Sequence, residues 1–275
     1  MSKYNDILKN WEAPLGKSND QAWVELQHRL NSAPQSDAKV IRFSWKPTLS
    51  VAAAAALIIG LILLWPNQPL QQVATANGKR QTVVLPDNST VELNASTTIE
   101  FADDWSGDRE VKLSGQAFFE VVKGGKFEVA TPQGVVEVLG TSFDVCDREN
   151  VFEVTCRTGK VRVAANGGEV EIVPGLRATL TNGKLVVSDF DLALADWRSG
   201  EFHYQEAPLN QVLDEIERQF DVQVQWPDLG SRFYTGRFNT KDLNEALQLI
   251  CLPMGLQFEV KDTTVWIREK EINER

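Results

Sequence analysis

The chain has 275 residues, 43% of them hydrophobic, with 28 basic and 38 acidic side chains and a net charge of −10. So acidic a chain repels phosphate, which excludes nucleic acid as its direct partner. Three cysteines are too few for a disulfide framework, and Cys146, Cys156 and Cys251 form no C-x-x-C pair of the kind that holds a metal.

Residues 1–31 read as two short amphipathic helices. Tyr4, Ile7, Leu8 and Trp11 recur at i, i+3, i+4 and i+7, one face of a helix. Pro14-Leu15-Gly16 breaks the pattern. Ser18 followed by Gln21 has capping-box spacing, and behind it Ala22, Trp23, Leu26 and Leu30 form a second stripe. Two such helices cannot bury their apolar faces within a piece of about 46 residues. Either they form a loosely ordered tail, or a cytoplasmic partner completes them by taking a helix into a groove. Asn31 to Asp37, with Pro34, reads as a linker.

Leu49 to Trp65 carries no charge, and the nearest charged residues are Lys46 before it and Lys79 after it. As a helix it would be ~26 Å long, close to the ~30 Å of a hydrocarbon core. Trp45 and Trp65 flank it like an aromatic belt. A transmembrane helix over 47–66 is therefore expected, anchored by Trp45, Lys46 and Trp65. Lys39, Arg42 and Lys46 resist translocation, so 1–46 should face the cytoplasm. Ala74-Thr75-Ala76 resembles a signal-peptide cleavage site, but a leader with 46 residues before its apolar run is far too long.

Pro66 to Ala76 reads as an extended exit from the bilayer. From Lys79 onward, short runs rich in Val, Phe and Thr predict strands at 81–85, 90–93, 98–101, 109–113, 117–122, 126–130, 135–139, 142–146, 152–155, 160–164, 169–173, 177–180 and 184–188. Turn clusters such as PDNS, DDWSGD, LSGQ and KGGK separate them. Regular short strands with no helical window imply an all-β sandwich, barrel or solenoid-like stack over 72–190.

LPDNSTVELNASTTIEF (85–101), REVKLSGQAFFEV (109–121), VEVLGTSFDV (136–145), TGKVRV (158–163) and PGLRATL (174–180) follow one another in an order that resembles the FecR-type periplasmic domain. Two positions depart from that pattern. Asn88 replaces the usual Gly, which Asn can do because it visits the left-handed region. Gln116 replaces the usual Glu and removes a charge.

Residues 200–270 form a different module. Pro208 to Phe220 predicts a helix with Leu209, Val212, Leu213, Ile216 and Phe220 on one face. A second helix begins at Asp242, with Glu245 at the capping-box position and Leu243, Leu247 and Ile250 facing inward. LNQVLDEI (209–216) and LNEALQLI (243–250) repeat at an offset of 34, as do VQVQ (222–225) and LQFE (256–259). With strands near 201–204, 233–238 and 264–268, the module is α+β. It is similar to the secretin/TonB short N-terminal fold, and the link at Trp197, Gly200 and Phe202 resembles the W-x-x-G-x-F junction of FecR-type regulators.

The fold expected is thus multi-domain: a short α-helical cytoplasmic segment (1–46), a transmembrane helix (47–66), an all-β FecR-type periplasmic domain (72–190) and a small α+β domain (200–270). The catalytic inventory is almost empty. His28 and His203 fall on opposite sides of the expected membrane, and no nucleophile triad, metal spacing or phosphate loop is present. No cofactor and no enzymatic activity are expected. Cys146 and Cys156 should point to opposite faces of adjacent strands, which disfavours a disulfide, and Cys251 sits on a buried stripe. Gly140-Thr141 offers a hydroxyl beside a flexible peptide bond, the minimum for self-cleavage by an N→O acyl shift. The simpler reading is that Gly140 lets the chain turn into a strand.

The resemblance implies an inner-membrane anti-sigma factor, single-pass, with its N-terminus in the cytoplasm and its C-terminus in the periplasm. Its cytoplasmic helices would hold an extracytoplasmic-function (ECF) sigma factor, with Trp11, Trp23, Leu26 and Leu30 as the candidate contacts. Its outer part would receive a signal from the signalling domain of a TonB-dependent outer-membrane receptor. The rival reading is a membrane-anchored adhesive envelope protein whose β domain binds glycan.

Overall fold

The computed structural model describes residues 19–31, 70–105, 109–149, 151–192, 196–227 and 231–270. The chain divides into two compact units, Met1–Trp65 and Pro66–Arg275. In the first, one helix is described, α1 (Asn19–Asn31), over the second predicted stripe. Asp20 lies in its first turn, where the helix dipole favours an acid. The first predicted helix, around Tyr4 to Trp11, lies outside the described residues.

The second unit is mostly strand. Two sheets share one strand, β5 (Arg109–Glu120). One sheet runs β1 (Leu70–Thr75), β4 (Thr97–Ala102), the first half of β5, β6 (Phe127–Ala130), β7 (Val135–Val138), β10 (Val161–Ala165) and β11 (Gly168–Ile172). The other runs β2 (Gln81–Val84), β3 (Thr90–Leu93), the second half of β5, β8 (Ser142–Arg148), β9 (Val151–Thr158), β12 (Leu176–Thr181) and β13 (Lys184–Asp189). Within these two sheets all pairs are antiparallel except β5 with β6. Inward residues of both sheets meet in one core, with Phe119, Phe127, Phe143 and Phe152 fully buried. Each large apolar side chain taken from water there stabilises the fold by about 1.5–3 kcal/mol. The alternation of buried and open positions along β8 and β9 follows the period of two that strands impose.

Three expectations are corrected. LSGQ, read as a turn between two strands, lies inside the single strand β5. Gly115 has φ +116°, and a Cβ on it would fall 2.6 Å from Thr97 Oγ1 and 2.8 Å from Thr97 Cα. The glycine bends the strand from one sheet into the other rather than ending it. The segment 66–76, read as an exit from a bilayer, contains β1, which pairs in antiparallel register with β4 from Leu70↔Ala102 to Thr75↔Thr97. The fold class is corrected on its transmembrane helix. The described chain is dominated by β-sheet, and none of its helices is long and apolar enough to cross a membrane. The stretch 47–66, with Trp45, Lys46 and Trp65, lies outside the described residues.

The C-terminal module has its own core. Strand β14 (Glu201–Pro208) leads into α2 (Leu209–Phe220), followed by β15 (Gln223–Gln225), β16 (Phe233–Asn239), α3 (Leu243–Cys251), β17 (Leu256–Lys261) and β18 (Thr264–Glu269). β14 pairs with β16, while β15, β18 and β17 form a second small sheet. Each helix packs against strands of both sheets. The offset of 34 is visible as β14–α2–β15 followed by β16–α3–β17. Asp242 caps α3, its Oδ1 accepting from the Glu245 amide at 3.0 Å.

Candidate functional site: a polar junction between sheet and module

On β8, Phe143, Val145 and Asp147 face the core, so Asp144 and Cys146 face away from it. On β5, Gln116 and Phe118 share that outer side, and Glu92 of β3 stands opposite Phe118. Strand alternation alone would leave these positions to solvent. Instead the C-terminal module covers them.

The cover begins with a single 3-10 turn, Trp197–Ser199. Asp196 caps it by accepting from the Arg198 amide at 3.1 Å. Gly200 ends it at φ +83°, with Thr240 Oγ1 2.5 Å from any added Cβ. Trp197 and Phe202 are both buried in the module's core. The Trp, Gly and Phe of the junction motif therefore have separate tasks: two apolar anchors and the left-handed residue between them.

From this turn the contacts reach across. Trp197 Nε1 donates to Asp144 Oδ2 at 2.6 Å, and Gln116 Nε2 donates to Asp144 Oδ1 at 2.9 Å. Asn94 Nδ2 donates to Gln116 Oε1 at 2.9 Å, and Gln219 Nε2 of α2 donates to Asn94 Oδ1 at 2.9 Å. Gln219 also donates to Glu215 Oε1 at 2.7 Å. Six side chains thus form an unbroken line from α2 over the sheet to the 3-10 turn. The Gln116 position, where a charge is missing relative to the family pattern, is the middle of that line. Its amide satisfies a donor on one side and a carboxylate on the other, as a carboxylate could not.

Charged groups surround the line. Arg198 lies 3.8 Å from the Phe118 ring centre and pairs with Asp196 at 2.8 Å and Glu92 at 3.3 Å. Arg157 pairs with Asp196 at 3.4 Å. Arg80 donates to the carbonyls of Trp197 and Arg198, both at 2.7 Å, and the Gly78 amide donates to the Arg218 carbonyl at 2.7 Å. Burial pushes the Asp144 carboxyl up to about 6, although the Gln116 and Trp197 donors and Arg157 oppose the rise. Burial also acts to raise Glu215, but Arg148, Arg218 and Gln219 outweigh it and hold that carboxyl below its ordinary value. Asp196 is likewise held low against its burial, chiefly by Arg198.

The candidate sigma contacts, membrane anchors and cleavage residues named from sequence are not among the six residues of this line. Trp23 is exposed on α1, Leu26 and Leu30 belong to the same helix, and Trp11 lies outside the described residues. Gly140 has φ +150°, and a Cβ there would sit 2.7 Å from Lys123 Cα, so the close chain crossing demands glycine. Thr141 is buried and its hydroxyl has no hydrogen-bond partner. Cys146, Cys156 and Cys251 are free thiols. Among the described residues no group of three or more His, Cys, Asp or Glu could hold a metal ion.

Residues 71–162 match the family model described as FecR protein, and residues 201–267 match the model described as FecR, C-terminal. The chain is also similar to two crystal structures of a "putative anti-sigma factor" from Parabacteroides distasonis ATCC 8503, at 2.50 Å and 1.65 Å resolution. The first superposes with a TM-score of 0.70 at 26% identity, over 73% of this chain and 99% of the other. The second has a TM-score of 0.68 at 25% identity, over 72% and 99%. No curated protein matches. Both matched stretches, 71–162 and 201–267, belong to the FecR family and contain five of the six residues of the polar line, with Trp197 in the link between them.

Proposed function

We propose that this chain is an anti-sigma regulator that carries a signal across the bacterial envelope. The observation that carries the reading is the likeness, through both the β-sheet unit and the C-terminal module, to a structure described as a "putative anti-sigma factor". In this reading residues 1–46 hold an ECF sigma factor in the cytoplasm, through a face that includes Trp11, Trp23, Leu26 and Leu30. Residues 70–270 lie in the periplasm, at the inner membrane, and receive the signalling domain of a TonB-dependent outer-membrane receptor. The C-terminal module fits a secretin/TonB short N-terminal type of fold, since its two helices each pack on a two-stranded and a three-stranded sheet. Its open sheet edges suit a partner that adds a strand.

A partner can shift such a regulator only through a difference in affinity for two of its states. The polar junction supplies a place where two states can differ. Deleting the gene in the native host, with transcription from promoters of the cognate sigma factor as the readout, tests the reading. Constitutive transcription, reversed by the full-length chain and not by one carrying Trp23→Ala and Leu26→Ala, is the expected result. Unchanged transcription would overturn it.

A further inference from the structure

We propose that one end of the β-sheet unit, the end at which Leu70 enters it, rests on the lipid surface of the membrane through a rim of exposed apolar side chains. This end is assigned on the reading that residues 70–270 lie at the inner membrane, and it names the face that meets the lipid there.

Apart from Val186 and Val187 on β13, the large apolar side chains exposed on the described residues of this unit are Leu70, Val84, Val122, Leu139 and Val173. Their exposure runs from 39% at Val173 to 67% at Leu139. Strand direction places all five at one end. Leu70 opens β1, Val84 closes β2, Val122 and Leu139 follow β5 and β7, and Val173 follows β11. Backbone contacts tie these strand ends together. The Gly124 amide donates to the Leu139 carbonyl at 2.9 Å, and the Val122 amide donates to Ser89 Oγ, in the loop after β2, at 3.0 Å. Asp87 of that loop pairs with Arg109 at 2.8 Å, where β5 begins. A Cβ on Gly159 would lie 2.6 Å from Thr141 Cγ2, so the turn into β10 sits against the chain leaving β7. Val161, which opens β10, pairs with Ile172, one residue before Val173. Leu70 pairs with Ala102 at the end of β4. The opposite end of the unit is closed by the polar turns at 166–167 and 182–183 and carries none of the five.

None of these positions is the outward side of a regular strand face that packing leaves over. Each is a strand end or a loop, where a polar residue would serve the fold equally well, and a gathering of exposed apolar groups there marks a contact surface. The order of the chain says what it contacts. Leu70 follows the uncharged stretch Leu49–Trp65 by only four residues. The chain from Trp65 to Leu70 can extend at most about 18 Å, so lipid that takes up the uncharged stretch is within reach of the rim. The charges near the rim point to apolar rather than electrostatic contact. Arg109 is paired with Asp87, Lys126 with Glu128 and Glu137 at 2.7 Å, and Lys160 with Glu171 at 2.9 Å. Asp103, Asp104 and Glu120 are exposed at the same end. Cations already answered by acids pull little on anionic headgroups, so binding should follow buried apolar area and should not strengthen with anionic lipid.

The test places p-benzoylphenylalanine at position 84, 139 or 184 of the full-length chain. Lys184, exposed beside the 182–183 turn, is the control at the opposite end. Each chain is reconstituted in phosphatidylethanolamine–phosphatidylglycerol vesicles, irradiated, and scored by mass spectrometry for phospholipid adducts. Adducts at 84 and 139 should exceed those at 184 by about tenfold or more, without a gain as the phosphatidylglycerol fraction is raised. Val122→Asp together with Leu139→Asp should cut the adduct at 84 by about fivefold and leave the thermal midpoint in detergent unchanged, since both side chains are exposed in the fold. Mere nearness of the chain to the bilayer would leave that adduct as it was. Equal adducts at all three positions, adducts that require phosphatidylglycerol, an adduct at 84 indifferent to the two aspartates, or crosslinks between two copies of this chain in place of lipid would each overturn the proposal. Such a result from a chain that floats with the vesicles sinks the rim alone, whereas a chain that does not float with them sinks the membrane reading as well.

Discussion

At the scale of single residues, function and fold compete for the same few positions. Gly115 has a left-handed φ and no room for a Cβ against the Thr97 backbone. Gly115→Ala should lower stability by about 2–4 kcal/mol, read as a shifted urea midpoint. Gln116 sets how much charge the junction contains. Gln116→Glu would put a second carboxylate 2.9 Å from Asp144 in place of a donor. Like charges raise each other's pKa, so stability should be retained at acid pH and lost as pH rises. The thermal midpoint of Gln116→Glu should fall below wild type by more at pH 8 than at pH 5, and an equal drop at both would contradict this. Gly140 has a steric reason of its own, so the purified chain should run as one full-length band on a denaturing gel. Two stable fragments divided near residue 140 would show that the unpartnered Thr141 hydroxyl attacks the preceding carbonyl.

At the scale of elements, the short β runs and both module helices were legible because period and punctuation agree there. Asp242 followed by Glu245, then Leu243, Leu247 and Ile250, signals a capped helix, and α3 begins there. Asp242→Ala should cost about 1 kcal/mol, measurable as a lowered thermal midpoint, and a neutral effect would show that the cap is redundant. β1 was hidden because LQQVAT is polar, and it forms by pairing with β4 rather than by burying a face. The bend in β5 was hidden because Gly and Ser inside a strand look the same as a turn until the neighbouring Thr97 is in position. The junction was half visible. Trp197, Gly200 and Phe202 carry a readable spacing, whereas Asp144 and Gln116 sit at positions that alternation assigns to water. Only the arrival of the module, from more than fifty residues away along the chain, turns them into a half-buried pair with partners.

At the scale of the whole molecule, the β-sheet unit and the module act in the proposed reading as a receiver, and among the described residues their two cores are joined by polar contacts and Phe118. A receiver built this way can move its module without unfolding either core. The sigma-binding face assigned to residues 1–46 and the receiving face assigned to residues 70–270 are then tasks of separate stretches of one chain. Removing 200–270 should leave sigma binding intact and abolish only its regulation, read by comparing sigma-dependent transcription with and without inducing conditions. The most direct measurement is co-purification from native membranes with a tagged full-length chain, followed by identification of the bound proteins. The account expects an ECF sigma factor to be retained by the wild-type chain and lost from the chain carrying Trp23→Ala and Leu26→Ala. Recovery of no sigma factor, or equal retention by both chains, would contradict it.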